Sequence, residues 1–261
     1  PPPPPQFPGQ EPPPPSGALP YQTLRGALTE SYAVKDVDLM QGVVPSDVDV
    51  LLVLDPRSLN EAARWGLDQF LMRGGSAIIA SGARDLDLAA MSGGLGLKRV
   101  DSGLNDLLRH HGIAVGDEIV LDTQNATFPI PVTRNAGGFQ VRQIQMLPYP
   151  AFPDVRRDGM DSDHPALAGL PSAVLHWPSP VELVDDKGDV TTNGAATDTL
   201  PARSVLMSSS EESWTLDQYE AQPDFKTWGE LGWQLGPERG RHPLAVAAAG
   251  FGTPRRRAAQ V

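Results

Sequence analysis

The segment Asp49-Val50-Leu51-Leu52-Val53-Leu54 restricts the fold more than any other part of this 261-residue chain. An unbroken β-branched and leucine run is expected where both faces of a parallel sheet are covered. It stops at Asp55-Pro56, because proline cannot extend the ladder. Ser58, with Glu61 three residues on, has the form of a capping box, in which each side chain satisfies an orphan backbone N–H. Leu59, Ala62, Ala63, Gly66, Leu67, Phe70 and Leu71 then recur at helical spacing. Gly74-Gly75 supplies a left-handed exit, and Ala77-Ile78-Ile79-Ala80 reads as the next buried strand. The spacing predicts a right-handed βαβ unit.

The rest of the chain extends this reading to a single α/β domain over residues 21–250. A mainly parallel, twisted sheet is flanked by helices and followed by an irregular C-terminal extension. Leu24, Ala27, Leu28 and Tyr32 predict a short amphipathic helix, and residues 33–39 alternate like a strand. A second helix is expected from Leu104 to His111, capped by Asp101 or Ser102 and stopped by Gly112. His111 there reads as the last-turn cation that a helix carboxyl end favours. Strands are expected over 118–122, 139–144, 173–177, 181–184, 205–207 and 244–249. The proline and aspartate content of 145–165 predicts a loop, 185–200 a mobile loop, and 208–241 an irregular Trp-containing segment. Residues 1–20 hold eleven of the 27 prolines and read as an extended linker. Residues 251–261, with Arg255-Arg256-Arg257, read as a basic tail, and both ends look cut from a longer protein.

Several chemistries are disfavoured at this level. The chain has no cysteine, which removes disulfides, thiolate nucleophiles and Cys-ligated metals. None of Lys35, Lys98, Lys187 and Lys226 follows a glycine, so no Walker motif is present. Gly94-Leu95-Gly96 meets Arg99 where the Rossmann pattern needs glycine, so no nucleotide cofactor is expected. A net charge of −11 argues against nucleic acid as a partner. Ser76 opens a strand when a nucleophile elbow would close one, and Ser81 has Ile79 where the elbow wants glycine. Ser81 with His110, His164 or His176 as base leaves a serine-hydrolase alternative. Asp154, Asp158, Asp161, Asp163 and His164 fit no EF-hand spacing, and Arg156 and Arg157 among them predict a solvated, salt-bridged loop and no metal site.

Ligands of open parallel sheets gather at the carboxyl ends of strands. Those positions hold Asp55, Arg57, Ser81, Arg84 and Asp85, the candidate ligand-binding residues. Arg57 and Arg84 together suit a carboxylate, a phosphate or sugar hydroxyls, and exposed pairing with Asp55 and Asp85 is the plainer alternative. Trp214, Trp228 and Trp233 divide between sugar stacking and core or lid packing, with packing preferred.

The motif string resembles a known family. DVDVLLVLDP ending at Pro56, LDQFLMRGG from Leu67 to Gly75, GLNDLLRHHG from Gly103 to Gly112 and VLD at 120–122 are similar to the GldG-like auxiliary component of gliding-motility-associated ABC transporters. Tyr149-Pro150, His164-Pro165, Gly169-Leu170 and Trp177-Pro178-Ser179-Pro180 continue it in order, as does Pro20-Tyr21-Gln22-Thr23-Leu24 at the start. The likeness covers about residues 20–184, with weaker similarity over 203–250. It implies a class I glutamine-amidotransferase-like, flavodoxin-like three-layer fold without the cysteine nucleophile. It further implies a non-catalytic periplasmic domain of a bacterial inner-membrane protein, tethered by membrane helices and working beside an ABC permease and a separate ATPase subunit. The expected role is binding of a partner protein or an envelope ligand such as a glycan. The segment Ser81-Gly82-Ala83-Arg84-Asp85 departs from the Asp-Pro that relatives carry after this strand, and the family offers no catalytic residues to transfer.

Overall fold

The computed structural model describes residues 21–87, 96–136, 139–192, 194–197, 200–217 and 221–249. The expected proline-rich linker, the basic tail and Gly94-Leu95 lie outside them. The chain divides into two units, one ending at Asp38 and one beginning at Leu39.

In the first unit, helix α1 (Gln22–Thr29) forms as expected. Its N-cap, Tyr21, is left-handed (φ 62°) and provides no side-chain cap, and none of the helix residues is buried. Arg25 pairs with Asp36 at 2.6 Å. The strand expected over 33–39 does not form: residues 33–38 join no ladder, and Leu39–Gln41 is a 3₁₀ turn. The alternation is real, but alternation alone does not make a strand, which forms only where it joins a ladder.

The second unit opens with the βαβ motif. Strand β1 (Val50–Leu54), helix α2 (Glu61–Met72) and strand β2 (Ser76–Ala80) follow in order, with β1 and β2 parallel and in register from Val50↔Ser76 to Leu54↔Ala80. Helix α2 buries Ala63, Gly66, Leu67 and Phe70, and Gly74 leaves it at φ 92°. Its cap is Asn60, whose side chain accepts from the Ala63 N–H at 2.8 Å. The capping box assigned to Ser58 is therefore a correction: Ser58 stands two residues too early, at φ 51°. The sheet also differs from expectation. Leu51 and Val53 are buried, but Val50, Leu52 and Ile78 are 51%, 40% and 57% exposed, so only one face is covered.

Beyond this unit the ladders are antiparallel. Strand β3 (Arg84–Asp87) pairs with β4 (Gly96–Arg99). Helix α3 (Asn105–His110) leads to β5 (Ile113–Val115), and β6 (Ile119–Leu121) follows. Strands β7 (Asn125–Ala136) and β8 (Phe139–Arg156) form a long hairpin, to which β9 (Ser172–Val174) adds on β8. Strand β10 (Val181–Leu183) pairs with β5, β11 (Ala202–Ser208) with the last strand, β13 (Pro243–Ala249), and β12 (Trp214–Leu216) with β6. Helix α4 (Phe225–Trp228) lies between β12 and β13. The described residues thus contain thirteen strands in small sheets and four helices, with β1–β2 their one parallel pair. Among the described residues a mainly parallel, flavodoxin-like sheet is not shown, since only β1 and β2 run parallel. Two strands joined by one crossover helix satisfy the βαβ pattern, and nothing in that pattern obliges further strands to join.

The loop expected over 145–165 is likewise replaced, through Arg156, by strand β8. Prolines survive in a ladder where their nitrogens face away from the partner strand, and their carbonyls remain useful. Pro150 accepts from the Asp122 N–H at 2.9 Å, Pro153 from Leu175 at 3.1 Å and Pro178 from Val120 at 2.8 Å. Around this hairpin base lies the main core: Ile119, Leu121, Ile130, Tyr149, Phe152, Trp214 and Trp233 are all buried. The rings of Tyr149 and Phe152 meet edge to face at 4.7 Å, and Trp233 packs on Tyr149 at 5.5 Å, the arrangement aromatic quadrupoles favour. Trp214 donates from Nε1 to the Gln234 carbonyl at 3.0 Å, which confirms core packing for it and for Trp233, whereas Trp228 is 46% exposed.

Candidate functional site

The loop after β1 is held by its neighbours on both sides. The Asp55 N–H donates to the Ala80 carbonyl at 2.9 Å, Ser58 to Asp101 at 2.7 Å and Leu59 to Ser102 at 3.1 Å. Gly103 makes the last contact possible: it adopts φ 75°, and a Cβ there would stand 2.4 Å from the Leu59 oxygen. Asp55 (φ 46°) and Ser58 bracket the turn in left-handed conformations that non-glycine residues rarely adopt. This frame presents Arg57 outward.

Arg57 Nη2 donates to Asp55 Oδ2 at 2.7 Å and to Asp85 Oδ2 at 2.8 Å, while Lys98 Nζ approaches Asp85 Oδ2 at 3.9 Å. The hydrogen bond to Asp55, then that to Asp85, raises the guanidinium pKa above its ordinary range. All four side chains are a third to a half exposed, so the pairs add at most about 1 kcal/mol each to stability. Three of the five residues expected at the site, Asp55, Arg57 and Asp85, therefore converge on one another.

Arg84 does not join them. It is one strand position from Asp85, so its side chain leaves β3 on the opposite face. There it is 1% exposed, with Nε donating to the Asp117 carbonyl at 2.9 Å and Nη2 paired with Asp217. The expected two-arginine grip, and the alternative of an exposed Arg84 paired with Asp85, both give way to a buried tie between β3, the turn before β6 and the end of β12. Ser81 is half-buried after β2. Two residues further on, the Ala83 N–H donates to Ser179 Oγ at 3.0 Å.

The three histidines weighed as bases have other roles. His110 packs edge-on against His111, His164 Nδ1 accepts from the Ala166 N–H at 3.3 Å, and His176 stacks on Phe152 with ring centres 4.0 Å apart. Burial pushes the His176 imidazole down. His111 stands at the carboxyl cap of α3, where the sequence places it. It is buried, with Nε2 3.4 Å from Oδ1 of the equally buried Asp68 on α2. The acids of 154–163 find local partners: Asp154 pairs with Arg156 at 3.0 Å, Asp158 with Arg241 at 3.3 Å, and Asp161 Oδ1 accepts from the Asp163 N–H.

A serine–histidine contact that sequence reading missed lies elsewhere. Ser213 Oγ is 3.0 Å from His242 Nδ1, 2.6 Å from Ser209 Oγ and 2.6 Å from the Gly240 carbonyl. The neighbouring Asp122 is bound by Ser210, through N–H at 2.7 Å and Oγ at 2.6 Å. Ser213 and Ser209 are buried, and the Ser213 hydroxyl is enclosed by three polar neighbours. The arrangement closes the 209–213 turn onto β13's entry. No periodicity announces it, because 29 residues separate Ser213 from His242.

No curated protein and no solved structure matches the chain. A family model described as an ABC-type uncharacterized transport system matches residues 8–256, nearly the whole sequence. The chain therefore belongs to the ABC-type uncharacterized transport system family, the auxiliary components of such transporters.

Proposed function

We propose that this chain is the extracytoplasmic domain of a membrane-tethered, non-catalytic auxiliary component of an ABC transporter of the gliding-motility-associated, GldG-like kind. It would work beside a permease and a separate ATPase, and bind its partner or an envelope ligand through the Asp55–Arg57–Asp85 cluster. The observation that carries the site is Arg57: a guanidinium held outward between two carboxylates on a pinned, left-handed turn, at the carboxyl end of the one parallel pair described. A strained loop that adds little to stability is a feature of surfaces kept for contact. The carboxylates orient Arg57 and exchange readily for a ligand's carboxylate, phosphate or hydroxyl oxygens, because each exposed pair is worth little by itself.

The test is affinity purification of the full-length protein from detergent-solubilised membranes. The permease should co-purify, and Arg57→Glu should reduce its recovery while leaving the melting temperature within a few degrees of wild type. A full-length protein recovered from the soluble fraction without transporter subunits would overturn the proposal.

A further inference from the structure

We infer that the cleft between the Leu39–Gln41 turn and helix α2 is a binding site for a neutral sugar ring. It has a volume of about 390 Å³ and is lined by Gln41, Gly42, Asn60, Glu61, Ala62 and Trp65. Small-ligand sites run from roughly 300 to 1,000 Å³, so the space suits a ligand of one or two rings. Two glycines set its shape. Gly42 adopts φ 74° and passes so close to α2 that a Cβ on Gly66 would stand 2.7 Å from the Gly42 carbonyl carbon. A Cβ on Gly42 itself would meet the Ala62 oxygen at 3.1 Å. The crossing is anchored on both sides: the Gly42 N–H donates to the Leu39 carbonyl at 2.8 Å, and Arg73 Nη2 donates to the Val44 carbonyl at 2.5 Å. Backbone contact thus fixes the spacing between turn and helix.

The side chains in the cleft are free to act on a ligand. Glu61 and Trp65 are four residues apart and share a face of α2, with Asn60 at its cap. Asn60 uses its Oδ1 to accept from the Ala63 N–H, which leaves Nδ2 as a donor. Among the described residues, that Nδ2, the Glu61 carboxylate and the Trp65 indole N–H have no protein partner. The Arg57 turn differs, since its charges satisfy one another. The cleft lies outside that cluster, and the inference does not depend on it.

These groups select the ligand by what each leaves unsatisfied. The cleft offers two neutral donors, one carboxylate that can only accept, and an aromatic face. A phosphate or carboxylate would meet Glu61, the one ionised side chain in the lining, on a chain of net charge −11. An ammonium would suit Glu61 but give the two N–H groups nothing to bind. An apolar ligand would strip water from all three polar groups without replacing it. A peptide amide carries one donor and one acceptor pointing apart in one plane, too few for three side chains. Each hydroxyl of a sugar both donates to a carboxylate and accepts from an N–H, and the C–H face of the ring packs on the indole. A neutral saccharide therefore answers every group in the cleft.

The test is nuclear magnetic resonance of nitrogen-15-labelled residues 1–261, read at the Trp65 indole N–H, which Trp65→Phe assigns, and at the Gly42 amide. The probes are glucose, galactose and N-acetylglucosamine, with tetramethylammonium chloride, inorganic phosphate and N-acetylglycinamide as comparisons. Each is titrated to about 50 mM, which covers millimolar affinities. At least one sugar should shift both signals saturably, and the three comparisons should not. Followed at the Gly42 amide, Glu61→Gln should weaken binding of that sugar about tenfold, because bonds to a charged group are lost, and Trp65→Phe about threefold to tenfold through loss of the indole donor. Both variants should keep the wild-type amide spectrum away from the cleft, which separates lost binding from lost fold. The absence of a saturable shift with any of the three sugars overturns the inference. So does an equal shift with ammonium, phosphate or the peptide amide, or wild-type sugar affinity in both variants.

Discussion

Replacing Arg84 by Met tests the division of the two site arginines into one buried tie and one presented cation. Methionine retains the apolar stem, so the change isolates the guanidinium. Its Nε bond to the Asp117 carbonyl is buried at the arginine end, where the side chain is 1% exposed. A hydrogen bond to a charged group is worth about 1.5–3 kcal/mol. The Asp217 partner is 64% exposed, so solvent screening limits that pair to about 1 kcal/mol or less. A total loss of about 2–3 kcal/mol follows, allowing for Asp117's carbonyl regaining some water. For a domain of about 150–250 residues each kcal/mol moves the midpoint by about 2–4 °C, so Arg84→Met should melt about 4–12 °C below wild type. Arg57→Met, whose two exposed pairs are each worth a few tenths of a kcal/mol and together about 1 kcal/mol, should shift it by about 4 °C or less. Thermal unfolding followed by circular dichroism on matched samples reads both. Equal shifts for the two variants would refute the burial argument.

Two further outcomes follow from local geometry and titration. Asn60→Ala should cost about 1 kcal/mol through loss of the α2 cap, while Ser58→Ala stays within about 0.5 kcal/mol; urea denaturation yielding the reverse order would restore Ser58 as the cap. Burial holds the imidazoles of His176 and His242 below the ordinary histidine range, although a Gly240 backbone bond and nearby acids oppose it for His242. Between that lower folded value and the unfolded value of about 6.5, the unfolded chain binds more protons. The contribution is therefore complete above about pH 6.5 and is lost as pH falls through that window. The double variant His176→Gln, His242→Gln should show a flatter dependence of melting temperature on pH between about 7.5 and 5 than the wild type, and an unchanged slope would contradict the sign.

What could be read from sequence and what could not divide by distance along the chain. The β1–α2–β2 unit was legible because strand run, helical stripe and glycine exit are short-range patterns. The cap was misplaced because Ser58 and Asn60 are both capable residues two positions apart, and only the turn geometry decides. Extending one parallel pair to a whole sheet failed because partner choice depends on residues far apart, such as β6 with β12. The β7–β8 hairpin was hidden by its prolines, which signal loops by composition but fit a ladder when their nitrogens point outward. At the site, Asp55, Arg57 and Asp85 came together because strand ends place them so. Arg84 was misjudged because its partner, Asp217, lies 133 residues away, and the Ser213–His242 contact escaped for the same reason.

The central claim, that this auxiliary chain meets its transport system through the turn bearing Arg57, is tested most directly by photocrosslinking. A photoreactive amino acid placed at position 57 of the full-length protein in its native cells should capture a transporter subunit, identified by mass spectrometry. The same probe at exposed Trp228, on another part of the unit's sequence, serves as the comparison. Capture at 57 well above that at 228 is the predicted result, and equal capture at both positions, or none at 57, would contradict the account.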